Sequence, residues 1–406
     1  MPEKRKIPFD ILDSVRGIAS LYVAIAHCRG TLWIGGSEFS KLFPRNTWNV
    51  WDYFMVGSSM LTRLAVEFVI VFFVLSGFSI AHSLAVNRSP LQFYKRRFIR
   101  IYPSYVVALI WAGLVFVITR LWHPEWYDGS LTNFAFVRTN EMNNYFDGTM
   151  MLKNLFYVPD LGLTIKEAFP KPEQHFMVLF VAPGHGFITP FWSLTYEVIF
   201  YLMAPFILRR VNLYALLSLT LFLINFILPD KIWSLGLPLY IYAFLFVFNI
   251  YFAIGVVIYK NYNKVAGVFQ SISKRMLLGM IALIVIIMYA VNIYFKTETV
   301  YSFMPSALLG VALIGYFLKY NLRIKWLMGV GRFSYTLYIT HLASVFLYLS
   351  IYWLIVKPDT PYILNYFVWV PAVFFVLALA YFQYWLVEKR TKNILNLLRR
   401  KAAKTN

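Results

Sequence analysis

An arginine, ten residues and then a histidine stand near the start of this chain, as Arg16 and His27. Imidazole is the side chain suited to general acid–base work near neutral pH. Eleven helical steps of about 100° return to within about 20° of the starting direction. One helix stripe therefore carries a cation at one end and an imidazole roughly 16 Å further along. Asp13, three residues before Arg16, is placed to pair with it within a turn. Arg97 and Arg100 repeat the i,i+3 spacing beside Lys95 and Arg96, a cluster whose chemistry is phosphate binding. Glu197 and His341 add a carboxylate and a second imidazole, each within an apolar run. Ser193, four residues before Glu197, shares its helix face. Ser76, Ser193 and Tyr196 are candidate donors to a tetrahedral oxyanion, among which spacing does not choose.

The elements that must position these groups are membrane helices. The chain has 406 residues, 60% hydrophobic and 14% charged, against about 45–50% and about 25% in a soluble domain. Its mean hydropathy is +0.62. With about 20 apolar residues per crossing, ten spans fit: Arg16–Ile34, Leu64–Ala85, Ile101–Leu121, Thr189–Leu208, Leu213–Leu228, Leu237–Tyr259, Met276–Phe295, Tyr301–Leu318, Phe333–Val356 and Tyr366–Val387. Of the 38 basic residues, 26 fall in alternate segments, from Lys4–Lys6 to the Lys389–Lys404 tail. The positive-inside rule then puts both termini in the cytoplasm. The expected fold is all-α, a polytopic transmembrane bundle over residues 1–390 followed by a basic cytoplasmic tail, 391–406. The apolar run after MPEKRK contains Arg16 and His27 and lacks the small-residue cleavage site of a signal peptide, so the first span is expected to be retained.

Counted along the spans, His27, Glu197 and His341 lie 9–11 residues from the inner boundary, roughly 13–17 Å deep and near the middle of the bilayer. Ionisable groups there are costly, which makes them candidates for a functional site. A plain helix–helix hydrogen bond is the competing explanation for each histidine, and the inner-side charge bias competes for Arg97 and Arg100. Glu67 and His82 fall near opposite ends of one span and fit the mid-membrane set less well.

Several classes are excluded. The net charge of +20 follows from topology and from attraction to anionic lipid, so nucleic acid is not an expected partner. A lone Cys28 rules out an intramolecular disulfide, and neighbouring helix positions point too far apart for a dyad with His27. His123, His175 and His185 lack zinc-ligand spacing, so no metal site is expected, and Pro183–Gly186 reads as a turn and not a phosphate loop. The long outer segment, Trp122–Ile188, and the tail, read as a short helix on the membrane surface, complete the organisation.

Five segments in order resemble the acyltransferase 3 superfamily of multi-pass membrane O-acyltransferases. They are FDILDSVRGIASLYVAIAH (Phe9–His27), FFVLSGF (Phe72–Phe78), RRFIRIYPSY (Arg96–Tyr105), TPFWSLTYEVIFYL (Thr189–Leu202) and FSYTLYITHL (Phe333–Leu342). The resemblance implies transfer of an acyl group, typically acetyl, from cytoplasmic acyl-CoA to a hydroxyl of an envelope saccharide or glycolipid, at the inner membrane of a bacterial cell. No bound cofactor is implied; acyl-CoA is a co-substrate. By the same analogy His27 is the catalytic imidazole, general base or covalent acyl relay, and Arg16 its motif partner; Glu197 matches a motif position and is a candidate to orient the imidazole. Arg97 and Arg100 serve the donor side, and His341 occupies a motif position. Two departures stand out. Only a short basic tail follows the last span, so the appended extracytoplasmic domain of some relatives is not expected. Val198 follows Glu197 where many relatives carry a second acid, so a carboxylate pair is not expected either. A saccharide transporter or flippase is the alternative, since transporters also bury ionisable groups at mid-depth. No paired Gly/Pro-broken spans recur in two halves to support it.

Overall fold

The computed structural model describes residues 8–86, 89–127, 164–168, 190–295, 300–356, 363–391 and 393. The described residues are helical, apart from turns, loops and a single β-bridge between Thr164 and Pro238. Eight helical runs are long and apolar enough to cross a membrane. They are Val50–Val86, Pro90–Trp122, Trp192–Ile227, Leu239–Lys260, Lys274–Phe295, Tyr301–Lys319, Ser334–Val356 and Tyr366–Thr391. The ten expected spans differ from these in two places. Trp192–Ile227 counts once, although a 3₁₀ turn at Leu208–Arg210 divides it. The first helix, α1 (Phe9–Leu32), carries Asp10, Asp13, Arg16 and Arg29 and is not one of the eight. It also begins seven residues before the expected boundary, so Arg16 lies about two turns inside it.

The remaining long helices are α2 (Ala65–Val86), α3 (Pro90–Trp122), α4 (Trp192–Ile207), α5 (Val211–Ile227) and α6 (Leu239–Lys260). They continue with α7 (Lys274–Phe295), α8 (Val300–Lys319), α9 (Lys325–Arg332), α10 (Ser334–Val356) and α11 (Trp369–Gln383). Helix α2 is buried on every side along Val66–Phe78 apart from Phe72, the mark of a central helix. Helices α5 and α7 bury only three residues each and expose rows of Leu, Ile, Met and Phe. Such rows are tolerable where the neighbour is lipid.

Two large apolar cores result, beside a small cluster of Trp33, Ile34, Phe39, Met55 and Tyr366. One gathers α2, α4, α6 and α8; the other gathers α3, α10 and α11. Helix α1 joins them, with Val15, Ala19 and Val23 in the first core and Ala24, Cys28 and Leu32 in the second. Tyr335 and Tyr338 of α10 also touch both. The seam between the cores is where the polar residues collect.

Glycines set how tightly the helices close on that seam. A Cβ on Gly77 of α2 would lie 2.1 Å from the Phe252 carbonyl oxygen, and one on Gly255 of α6 would lie 2.0 Å from that of Val74. The α1–α9 pair repeats this reciprocity: a Cβ added to Gly17 would lie 2.1 Å from Leu327 O and one added to Gly331 1.8 Å from Asp13 O. Backbone-to-backbone packing of this kind is the small-residue contact of membrane helices. Gly17 and Gly77 each follow a cavity residue, Arg16 and Ser76, and so fix where those side chains emerge. The N-terminal bases, Arg88, His175, His185, Pro183–Gly186, most of the outer segment and nearly all of the tail lie outside the described residues.

Candidate active site

Five helices contribute to a cavity enclosing roughly 870 Å³ of empty space, part of it open to the surroundings. Helix α1 supplies Arg16, α2 Ser76 and Ser79, α3 Arg97 and Arg100, α4 Ser193, Glu197 and Tyr201, and α10 Ser334, Tyr335 and Tyr338.

Three guanidinium groups dominate the charge. Arg16 donates to Asp13 Oδ1 at 2.8 Å and to Ser79 Oγ at 2.7 Å, so α1 and α2 both fix it. The Arg97 guanidinium lies 5.5 Å from the Phe93 ring centre and 5.4 Å from that of Tyr201. Aromatic faces on that scale hold a cation and limit its orientations. Opposite sits Glu197, whose Oε1 accepts from Ser76 Oγ at 2.7 Å and from the Tyr201 hydroxyl. Three arginines and one carboxylate leave the cavity wall net positive, which suits an anionic ligand.

The imidazoles form a pair of their own. His341 Nε2 lies 3.1 Å from His27 Nδ1, with ring centres 4.8 Å apart. His341 is 1% exposed, while His27 is half-buried. Hydrogen accounting assigns the protons. His341 Nδ1 faces the carbonyl oxygens of Leu337 (3.1 Å) and Tyr338 (2.7 Å), which only accept, so this nitrogen carries a hydrogen. His341 Nε2 then has a lone pair in the neutral ring. His27 Nδ1 faces that lone pair and also the Val23 carbonyl oxygen at 3.0 Å, so it too carries a hydrogen. The basic nitrogen of His27 is consequently Nε2.

Of the residues singled out from sequence, Arg16, Ser76, Arg97, Arg100, Ser193 and Glu197 line one cavity. His27 and His341 do not line it; the ring of the cavity residue Tyr338 is 5.9 Å from that of His341, which in turn contacts His27. Asp13 stands behind Arg16 as its ion-pair partner. Sequence reasoning set Glu197 beside the imidazole of His27. The structure instead places His341 there and gives Glu197 to Ser76 and Tyr201. Tyr196 is buried against Phe248, 4.7 Å between ring centres, and does not reach the cavity.

Sequence reasoning assigned no role to Tyr201, Ser79 or Tyr338. The first could have been found from its i,i+4 spacing after Glu197. The other two depend on contacts between distant helices. His82 bonds the Tyr259 hydroxyl at 3.2 Å, and the buried Glu67 accepts from Asn292 at 3.4 Å; neither lines the cavity. His123 is stacked on Trp126 at 4.2 Å and bonded to the Ser350 carbonyl at 3.0 Å. Among the described residues no group of three or more His, Cys, Asp or Glu is placed to hold a metal ion.

A family model described as an acyltransferase domain matches residues 9–385, nearly the whole chain. The chain belongs to this acyltransferase family. Among curated proteins, the acyltransferase MdmB of Streptomyces mycarofaciens is 35% identical over 159 residues. That match takes in 39% of the chain and 32% of the relative, so about a third of the relative's length is spanned. No solved structure matches. Family membership and eight membrane-compatible helices make the chain a multi-pass membrane protein of this acyltransferase family.

Proposed function

We propose that this acyltransferase moves an acetyl group, or another short acyl group, from cytoplasmic acyl-CoA to a hydroxyl of an envelope saccharide or glycolipid. In this reading ten helices cross the inner membrane, with α1 and the two halves of Trp192–Ile227 counted separately. Both termini are cytoplasmic, and residues 1–390 form the catalytic bundle. The observation that carries the reading is the juxtaposition of an arginine-lined cavity with an imidazole pair that lies against the cavity residue Tyr338 at His341.

Arg97 and Arg100 engage donor phosphates, and Arg16 continues the positive lining towards the thioester. Glu197, held by Ser76 and Tyr201, keeps Arg97 balanced while the cavity is empty. His27 Nε2 removes the proton of the acceptor hydroxyl as its oxygen attacks the thioester carbon. The imidazolium so formed keeps its Nδ1–H bonded to the His341 lone pair, which takes the orienting place an acid occupies in a hydrolase triad. Because the Leu337 and Tyr338 carbonyls fix the His341 tautomer, the pair is aligned before substrate arrives. Collapse of the tetrahedral adduct breaks the C–S bond. The proton returns to the sulfur, leaving an ester and free CoA thiol.

The test is thiol release from acetyl-CoA in membrane vesicles, with and without added envelope polysaccharide. Polysaccharide-dependent release is expected. Movement of polysaccharide with no release would mark a transporter instead.

A further inference from the structure

One side chain both lines the arginine-lined cavity and lies against the imidazole pair at His341: Tyr338. Its ring lines the cavity and lies 5.9 Å from the His341 ring, and its own carbonyl oxygen accepts from His341 Nδ1 at 2.7 Å. Its hydroxyl is 2.7 Å from Ser193 Oγ, and Ser193 also lines the cavity. Two hydroxyls in contact place one proton between them and leave the other O–H to point elsewhere. Were Tyr338 the donor, the Ser193 proton would be left with Pro190 O at 3.4 Å, well beyond the usual O–H···O distance of about 2.7–2.8 Å. The better arrangement has Ser193 donating to the phenol oxygen. The phenolic proton is then available to a group in the cavity.

We propose that Tyr338 is a catalytic hydrogen-bond donor, its O–H binding the thioester carbonyl oxygen as that oxygen becomes an oxyanion. The inference rests on the acyl-CoA reading above. As the acceptor oxygen bonds to the thioester carbon, the carbonyl π pair moves onto oxygen, and this charge is what the phenol stabilises. When the C–S bond breaks, the pair returns and the hydrogen bond relaxes.

Two further observations favour this position. Ser193 and Leu194, second and third residues of α4, both line the cavity, and Phe191 supplies no side-chain cap. First-turn N–H groups of a helix lack intrahelical acceptors and carry partial positive charge, which favours a developing anion there. The competing donors are also engaged elsewhere: the Ser76 hydroxyl donates to Glu197, and Tyr196 lies outside the cavity wall.

The test is the infrared carbonyl stretch of acetyl-CoA, 13C-labelled at the thioester carbon and bound to the purified enzyme, read by isotope difference. In the unaltered enzyme the band is expected below its aqueous position. Tyr338→Phe, which deletes one oxygen, is expected to raise it and to slow thiol release by about 10²–10³-fold, with the dissociation constant for acetyl-CoA changed less than about threefold. Ser193→Ala is expected to shift the band by a smaller amount. A band that Tyr338→Phe does not move, or that Ser193→Ala moves more, would overturn the proposal. If the unaltered enzyme binds no acetyl-CoA, the donor reading fails and the Tyr338 proposal fails with it. If it binds and the band ignores Tyr338, only the Tyr338 proposal fails.

Discussion

A histidine whose Nδ1–H points at another histidine's lone pair differs from one held by a carboxylate. The acceptor is neutral, so it orients the ring without offering a full counter-charge. His341→Ala should lower turnover by about 10–100-fold, less than the about 10²–10⁴-fold expected for loss of the base itself, with KM for acyl-CoA little changed. Steady-state kinetics on both variants separates the two roles. On the donor side, Arg97→Lys should raise KM for acyl-CoA nearly as much as Arg97→Ala. An ammonium has neither the planar face that lies against Phe93 and Tyr201 nor the forked donors that phosphate prefers. Equal KM values for Arg97→Lys and the unaltered enzyme would contradict that role. At this scale the sequence was informative wherever a contact is local. The Asp13–Arg16 pair and the shared face of Ser193 and Glu197 follow from i,i+3 and i,i+4 spacing. The neighbour of His27 was not legible, because His341 is 314 positions away and depth alone admitted Glu197 equally well.

Among the elements, the decisive contacts are made where side chains are missing. Gly77 and Gly255 let α2 and α6 touch backbone to backbone, and Gly17 and Gly331 do the same for α1 and α9. A methyl group at any of them meets a carbonyl oxygen that cannot swing away. Gly77→Ala and Gly17→Ala should each cost about 1–3 kcal/mol; they should also impair catalysis by displacing Ser76 and Arg16. Gly30→Ala on α1 is the control: nothing lies within 4 Å of its added Cβ, so it should be neutral or slightly stabilising. Thermal unfolding in detergent checks the set, and a Gly77→Ala midpoint equal to that of Gly30→Ala would refute the close-packing argument. Hydropathy finds the helices because lipid demands length and apolarity. It is silent about which faces meet, and a glycine on a contact face looks the same in sequence as one facing lipid.

For the whole molecule, two cores joined by α1 make that helix both a structural member and the carrier of Arg16 and His27. Its charges keep it outside the eight most apolar runs, yet its buried residues divide between both cores. The proposed ten crossings require α1 to span, and this is directly checkable. Cys28 is the one cysteine in the chain and is buried, so single reporter cysteines read against a low background. A cysteine at Lys4, before α1, should react with an impermeant maleimide from the cytoplasmic face alone, and one at Trp51, after it, from the outer face alone. Labelling of both from one face would remove a crossing and break the alternation.

The central claim is that an acyl group enters from the cytoplasm, through the arginine-lined cavity, and leaves on a hydroxyl activated by His27. Its most direct measurement is transfer of label from acetyl-labelled CoA into envelope glycan in membrane vesicles of defined orientation. Inside-out vesicles, which present the cytoplasmic face, should incorporate label, and sealed right-side-out vesicles should not. Inside-out vesicles carrying His27→Ala should incorporate none although the protein is inserted in normal amount. Incorporation by that variant at more than a tenth of the unaltered rate, or equal incorporation from either face, would contradict the account.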